Sequence, residues 1–245
     1  MLSLSSSQIQ EFSENGFLLV PNAISEVILA AASNTIDDII EHSPPGPDIR
    51  GPHNFFLELA EVPSLLALLV DGPVISLAEQ LTDPVSLDVP WQVQVALNIP
   101  NFPHRPGLPH IDGSPPESDG RPGTFTMLVG ILMSEQRNED EGNLWVWPGS
   151  HLSHATYFHE HGPDAFFEAA GYPHVLLPEP QQICGGPGDV VLAHYLLGHN
   201  IGGNTSNVVR RAAYFRVKAR DHDSHWREIL QDPWLEYRAI HNTQL

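Results

Sequence analysis

Two side chains able to ligate a metal stand two positions apart in Leu108-Pro109-His110-Ile111-Asp112-Gly113. On a strand, residues two apart project from the same face. The imidazole of His110 and the carboxylate of Asp112 can therefore converge on one cation. A third donor would complete the 2-His-1-carboxylate triad, whose open positions suit Fe(II) and oxygen chemistry. The run from Gly188 to His199 offers two more histidines. His194 continues the face of Val190 and Leu192 and reads as a packed strand residue, so His199 is the expected third ligand. His151, His154, His159 and His161 resemble a second cluster, but they fall in a connection of exposed character and are read as non-ligating. An isolated HxD triplet is unspecific, so its meaning depends on its surroundings.

The first of these is an arginine. Gly202-Gly203-Asn204-Thr205-Ser206-Asn207 has strong turn chemistry. A hairpin centred between Asn204 and Thr205 sets Arg210 opposite His199, with Cβ atoms about 4.5–5.5 Å apart. A guanidinium there can grip a carboxylate at two points. A metal at one end and a fixed arginine at the other is what binding 2-oxoglutarate requires. Arg211 should face away. Strand parity over Trp91–Asn98 puts Gln92, Gln94, Ala96 and Asn98 on one face, and in a barrel Gln94 and Asn98 would line the cavity and contact the co-substrate carboxylate beside the keto group. Arg105 reads as a solvated loop residue that could recognise a substrate anion.

The elements that must hold these groups follow from the rest of the chain. Ser5, Ser6 and Ser7 offer caps for a short helix that stops at Gly16. Phe17–Val20 reads as a strand, and Ser25 caps a longer helix that ends before Pro44. Helices are expected over Leu65–Val70 and Val74–Leu81, the latter with Pro73 at its first position. Residues 1–82 thus form a mostly helical layer. Residues 90–220 turn to strands: Trp91–Asn98, Thr124–Met133, Leu144–Trp147, Val175–Leu177, Val190–His194 and Ala212–Val217. A short helix is expected at Asp164–Ala170. The tail, 224–245, is expected to be helical around Trp226–Tyr237 with a break at Pro233. No repeat, low-complexity segment or linker divides the 245 residues, so a single domain with a β-core and a helical layer on one side is expected.

Composition narrows the partners. Eleven Lys and Arg face 30 Asp and Glu, a net charge of −19. That disfavours phosphate backbones and anionic membranes, so no nucleic acid or membrane partner is expected. Only Arg50 is basic in the first 100 residues, whereas Arg210, Arg211, Arg216, Lys218, Arg220, Arg227 and Arg238 cluster late. A basic residue there can have a specific anionic target. Cys184 is alone, no secretory leader is visible and no apolar run is long enough for a membrane helix, so a cytoplasmic protein, monomer or homodimer, is expected.

Four stretches together resemble the phytanoyl-CoA dioxygenase-like family of Fe(II)/2-oxoglutarate-dependent oxygenases. These are Phe12–Pro21, His110-Ile111-Asp112, Gly142–His151 with its Pro148-Gly149-Ser150-His151, and Gly188–His199 continued by Asn204, Ser206 and Arg210. They occur in the family's order and span nearly the whole chain. The resemblance implies a double-stranded β-helix (jelly roll), His110, Asp112 and His199 as iron ligands, and Arg210, with Ser206 nearby, at the distal carboxylate of 2-oxoglutarate. It also implies O2 as co-reactant, succinate and CO2 as co-products, and a small metabolite or natural-product intermediate as the molecule hydroxylated, desaturated or cyclised. A halogenase is disfavoured because Asp112 occupies the position a halide needs. The sequence departs from the family in having no lysine ahead of the HxD and in being short, which suggests trimmed substrate loops. A non-catalytic metal-binding jelly roll, or a zinc hydrolase on the same triad, are the competing readings; neither needs the arginine clamp.

Overall fold

A computed structural model describes residues 2–113, 117–168, 173 and 175–241. The elements run α1 (Ser6–Asn15), β1 (Phe17–Val20), α2 (Glu26–His42), β2 (Gly51–Glu58), α3 (Pro63–Val70), α4 (Val74–Thr82), β3 (Leu87–Asp88), β4 (Gln92–Ile99), β5 (Met127–Leu132), β6 (Leu144–Val146), α5 (Ser150–His161), α6 (Ala165–Glu168), β7 (Gln181–Gln182), β8 (Val190–His194), β9 (His199–Ile201), β10 (Arg210–Ala219), α7 (Trp226–Gln231) and α8 (Arg238–His241).

Local chemistry sets the helix ends. Ser5 and Gln8 form the reciprocal capping box of α1, and Gly16 closes it in the left-handed region at φ 78°. The Ser25 side chain accepts from the Ile28 N–H at the start of α2.

Six strands form the main path of an antiparallel sheet in the order β1-β8-β5-β10-β4-β2, with β3 also paired to β10; β7-β6-β9 form a smaller sheet. Alternation divides each large strand between two cores. Val93, Val95 and Leu97 of β4, Met127, Val129 and Ile131 of β5, and Ala213, Phe215 and Val217 of β10 pack with residues of α2, α3 and α4 on the outer face. Ala96, Leu128, Leu132, Ala212 and Tyr214 turn inward and meet Leu144 and Val146 of the small sheet. Two facing sheets with one helical flank make a jelly roll, as the sequence leads one to expect.

Several local expectations fail. Strand β2 was not foreseen; it is an edge strand whose residues alternate between exposed and half-buried, so its apolar period is diluted. No strand forms at Val175–Leu177, where Leu176 is exposed; two-residue β7 follows instead. The histidines of 151–161 lie on helix α5, with His151 and His154 buried. The expected helix at Asp164–Ala170 is present as α6, and 169–170 lie outside the described residues. The expected hairpin does not exist: β9 pairs with β6, whereas β10 pairs with β4 and β5. Among the described residues no single helix is long and apolar enough to cross a membrane.

Candidate metal centre

His110 is on no regular strand. A single antiparallel bridge joins it to His199, with reciprocal backbone hydrogen bonds of 2.9 and 3.1 Å. That bridge sets the two imidazoles side by side, 4.4 Å between ring centroids. Asp112 lies in the bend that follows and turns its Oδ1 toward both rings, 3.3 Å from His110 Nε2 and 3.6 Å from His199 Nε2. One donor atom from each residue lies within 4.8 Å of the other two. His199 Nδ1 is tied to the Leu197 carbonyl at 3.0 Å, which as a donated bond leaves Nε2 free to ligate.

Electrostatics prepares the same atoms. Burial pushes the Asp112 carboxyl up, but its contacts with the His110 and His199 imidazoles and the charge of Arg216 outweigh it, so the group is held well below its usual range. Burial, then repulsion from His199, moves His110 below its ordinary value despite Asp112. An ionised carboxylate beside a neutral imidazole is the donor state that a divalent cation needs.

A cavity of about 200 Å³ opens on this triad, bordered also by Gln94, Ala96, Tyr214 and Arg216. Behind Tyr214 sits Arg210, 1% exposed. Its Nε donates to Gln136 Oε1 at 2.9 Å and its Nη2 to the Tyr214 hydroxyl at 2.6 Å. Its Nη1 is buried with no partner, as are Gln136 Nε2 and Asn98 Oδ1. Among the described residues no carboxylate pairs with Arg210. A buried guanidinium without a counter-ion is costly. Glycines make room for it. A Cβ on Gly142 would come within 2.9 Å of the Arg210 and Asn98 Cβ atoms, and one on Gly130 within 2.8 Å of the Tyr214 ring.

The other candidates separate cleanly. Arg210 is opposed to Asn98 on β4, not to His199; its place follows from strand parity, not from a hairpin. Gln94 lines the cavity, whereas Asn98 is fully buried and donates to the Gly202 carbonyl at 2.8 Å. Ser206 is not among the lining residues; it hydrogen-bonds Asn204 and the Val208 carbonyl and serves the turn. Arg211 faces outward to Asp37 on α2. His194 is buried, donating from Nε2 to the Pro233 carbonyl and accepting from the Leu196 N–H, so both ring nitrogens are used. Arg105 is 77% exposed, 3.9 Å from Asp140. Tyr214 and Gln136, which hydrogen-bond Arg210, and Tyr195 and Arg216, which hydrogen-bond Asp112, were not singled out from sequence. Tyr214 carries no motif, and Arg216 had only its place in the late basic cluster.

The profile of the phytanoyl-CoA dioxygenase family matches residues 12–212. A search of curated proteins found no significant match. Among solved structures, HygX from Streptomyces hygroscopicus, with nickel and 2-oxoglutarate bound, superposes with a TM-score of 0.63 at 14% identity, covering 89% of this chain and 88% of its own. SnoK, a non-heme alpha-ketoglutarate-dependent carbocyclase from nogalamycin biosynthesis, gives 0.61 at 19%, covering 90% of each chain. EctD from S. alaskensis, with 2-oxoglutarate and 5-hydroxyectoine, gives 0.57 at 18%, covering 88% and 76%.

Proposed function

The chain belongs to the phytanoyl-CoA dioxygenase family of Fe(II)- and 2-oxoglutarate-dependent oxygenases, and on that premise we propose that it oxidises a small metabolite or natural-product intermediate. Hydroxylation is the simplest outcome; desaturation or ring closure would use the same centre. His110, Asp112 and His199 would hold the iron, leaving positions open for ligands. The observation that carries this reading is Arg210, a buried cation with an unpartnered Nη1, whose Nη2 donates to Tyr214, a residue bordering the triad cavity. The distal carboxylate of 2-oxoglutarate would supply the missing counter-ion, with the Tyr214 hydroxyl and Gln136 keeping the guanidinium in plane. Bound iron with 2-oxoglutarate supplies the oxidising power from O2, the co-substrate leaving as succinate and CO2.

The chain's own contribution is positioning. The His110–His199 bridge fixes the rings, Tyr195 donates from its hydroxyl to the Asp112 carbonyl at 3.0 Å, and the inward apolar residues of β5 and β6 exclude water. An outer cavity of about 450 Å³ shares Gln94 and Arg216 with the triad cavity and carries Trp91 and Phe125; it is our choice for the prime substrate. HygX with hygromycin B and EctD with 5-hydroxyectoine show small molecules bound by relatives of this fold. The test is oxygen-dependent succinate formation by the iron-loaded protein across a panel of small metabolites. Succinate that does not depend on iron and oxygen, or hydrolysis supported by zinc alone, would refute it.

A further inference from the structure

Arg216 reaches the triad from the far side. Its Nε donates to Asp112 Oδ2 at 2.8 Å, and its Nη2 stands 2.7 Å from the same oxygen as an ion pair. The other oxygen, Oδ1, is the one that faces the two histidines. Resting on the iron reading above, we propose that Arg216 is a positioning residue that occupies the outer oxygen of Asp112, so that the carboxylate offers the metal one atom only.

The consequence concerns coordination number. A carboxylate can bind a cation through one oxygen or both. Three protein donors leave three positions of an octahedron, enough for a two-point co-substrate and one further ligand. If Asp112 swung round to chelate, one of those positions would be lost. Holding Oδ2 in a hydrogen bond and an ion pair with a fixed guanidinium prevents the swing.

Arg216 is itself held. Its Nη2 also donates to Gln94 Oε1 at 2.9 Å, and its guanidinium carbon lies 5.8 Å from the centre of the Phe125 ring. Phe125 meets Tyr195 edge-on at 4.9 Å, and Tyr195 is the residue that grips the Asp112 backbone. Both ends of Asp112 are thus fixed by one connected set of side chains. An ordinary surface ion pair would not need this support, and Asp112 is no surface residue, its side chain being 14% exposed. The planar guanidinium explains arginine over lysine, because its Nε addresses Asp112 while its Nη2 addresses Gln94 in one fixed plane, which an ammonium cannot do.

Co(II) serves as the probe, since its visible bands report coordination number without turnover. Wild type, Arg216→Ala, Arg216→Lys and Arg216→Gln are titrated with Co(II) and then with 2-oxoglutarate, with thermal unfolding as the check on folding. Arg216→Ala is expected to bind Co(II) about 10- to 100-fold more weakly, with altered bands and weaker uptake of 2-oxoglutarate. Arg216→Lys should recover part of the affinity but not the spectrum. If Arg216→Ala does not fold, Arg216→Gln decides by the same two readouts. Wild-type affinity and bands in the folded variants would overturn the inference and leave Arg216 as a wall of the outer cavity. Wild type that binds no Co(II), or binding that survives His110→Ala, would instead overturn the metal reading and this inference with it.

Discussion

Replacing Arg210 by alanine should cripple 2-oxoglutarate binding and leave the metal site intact. The magnitude follows from burial. Arg210 is 1% exposed, has no carboxylate partner among the described residues, and keeps one buried N–H atom unpaired. A co-substrate carboxylate meeting it would form a fully desolvated pair. Losing one partner of such a pair costs about 2–5 kcal/mol, or about 30- to several-thousand-fold in affinity. Arg210→Lys should recover only a fraction, since one ammonium cannot satisfy Gln136, Tyr214 and a carboxylate in the plane that the guanidinium spans. Arg211→Ala is the internal control. That side chain pairs with Asp37 on the opposite face of the sheet, where an exposed pair is worth about 0–1 kcal/mol. The assay is anaerobic titration of 2-oxoglutarate into the three iron-loaded variants, with iron affinity measured separately. A benign Arg210→Ala beside a crippling Arg211→Ala would show that the anion receptor has been assigned to the wrong face of β10.

His110→Ala, Asp112→Ala and His199→Ala should each abolish iron binding or turnover while thermal unfolding stays cooperative; full metal content by elemental analysis in the His199 variant would move the third ligand elsewhere. Asp112→Gly should do more than weaken the site. It frees a coordination position and strips Arg216 of its anion, so chloride should perturb the spectrum of the anaerobic Fe(II)–2-oxoglutarate complex, and no chloride dependence would count against this. Stability should fall as pH drops from about 6.5 to about 4. Burial depresses His154 and His194 to about 4 from an ordinary 6.5. Above 6.5 both are neutral folded and unfolded; below it the unfolded chain takes up protons that the native state refuses, at a cost of up to about 1.4 kcal/mol per pH unit for each histidine. Denaturant melts at pH 7.5, 6 and 5 check this, with a shallower slope expected for His194→Gln; equal stability at all three would refute it.

The triad and the buried arginine were legible in the sequence because both depend on short-range patterns. His110 and Asp112 converge through close spacing, although a single bridge and a bend replace the strand. Alternation alone put Gln94 and Asn98 on the inner face and Arg211 on the face opposite Arg210, whereas Arg210 was set beside the triad by a hairpin that does not form. The hairpin failed for a different reason. Turn residues say where a chain bends, not which strands it then joins. Asn204 bridges to Phe102 and Glu141 and donates to the Asn98 carbonyl, which sends β9 and β10 into separate sheets. Strand β2 escaped because its inward residues Pro52, Asn54, Phe56 and Glu58 are all exposed, so no apolar face marks it. The Arg216–Asp112 contact spans 104 residues and depends on tertiary placement that no local spacing encodes.

Strand β10 spells two messages in alternating letters. Arg210, Tyr214 and Arg216 spell the chemistry; Ala213, Phe215 and Val217, between and beside them, spell the cohesion of the helical flank. Sliding the strand by one residue would exchange every letter of one text for the other. Insertions and deletions here are therefore forbidden on two independent grounds, whereas point changes are not. Substitutions at Ala213, Phe215 and Val217 should produce proteins that fail to fold, and those at Arg210, Tyr214 and Arg216 folded proteins that fail to work. The same strand thus records, at adjacent sites, how much of this sequence is owed to stability and how much to catalysis.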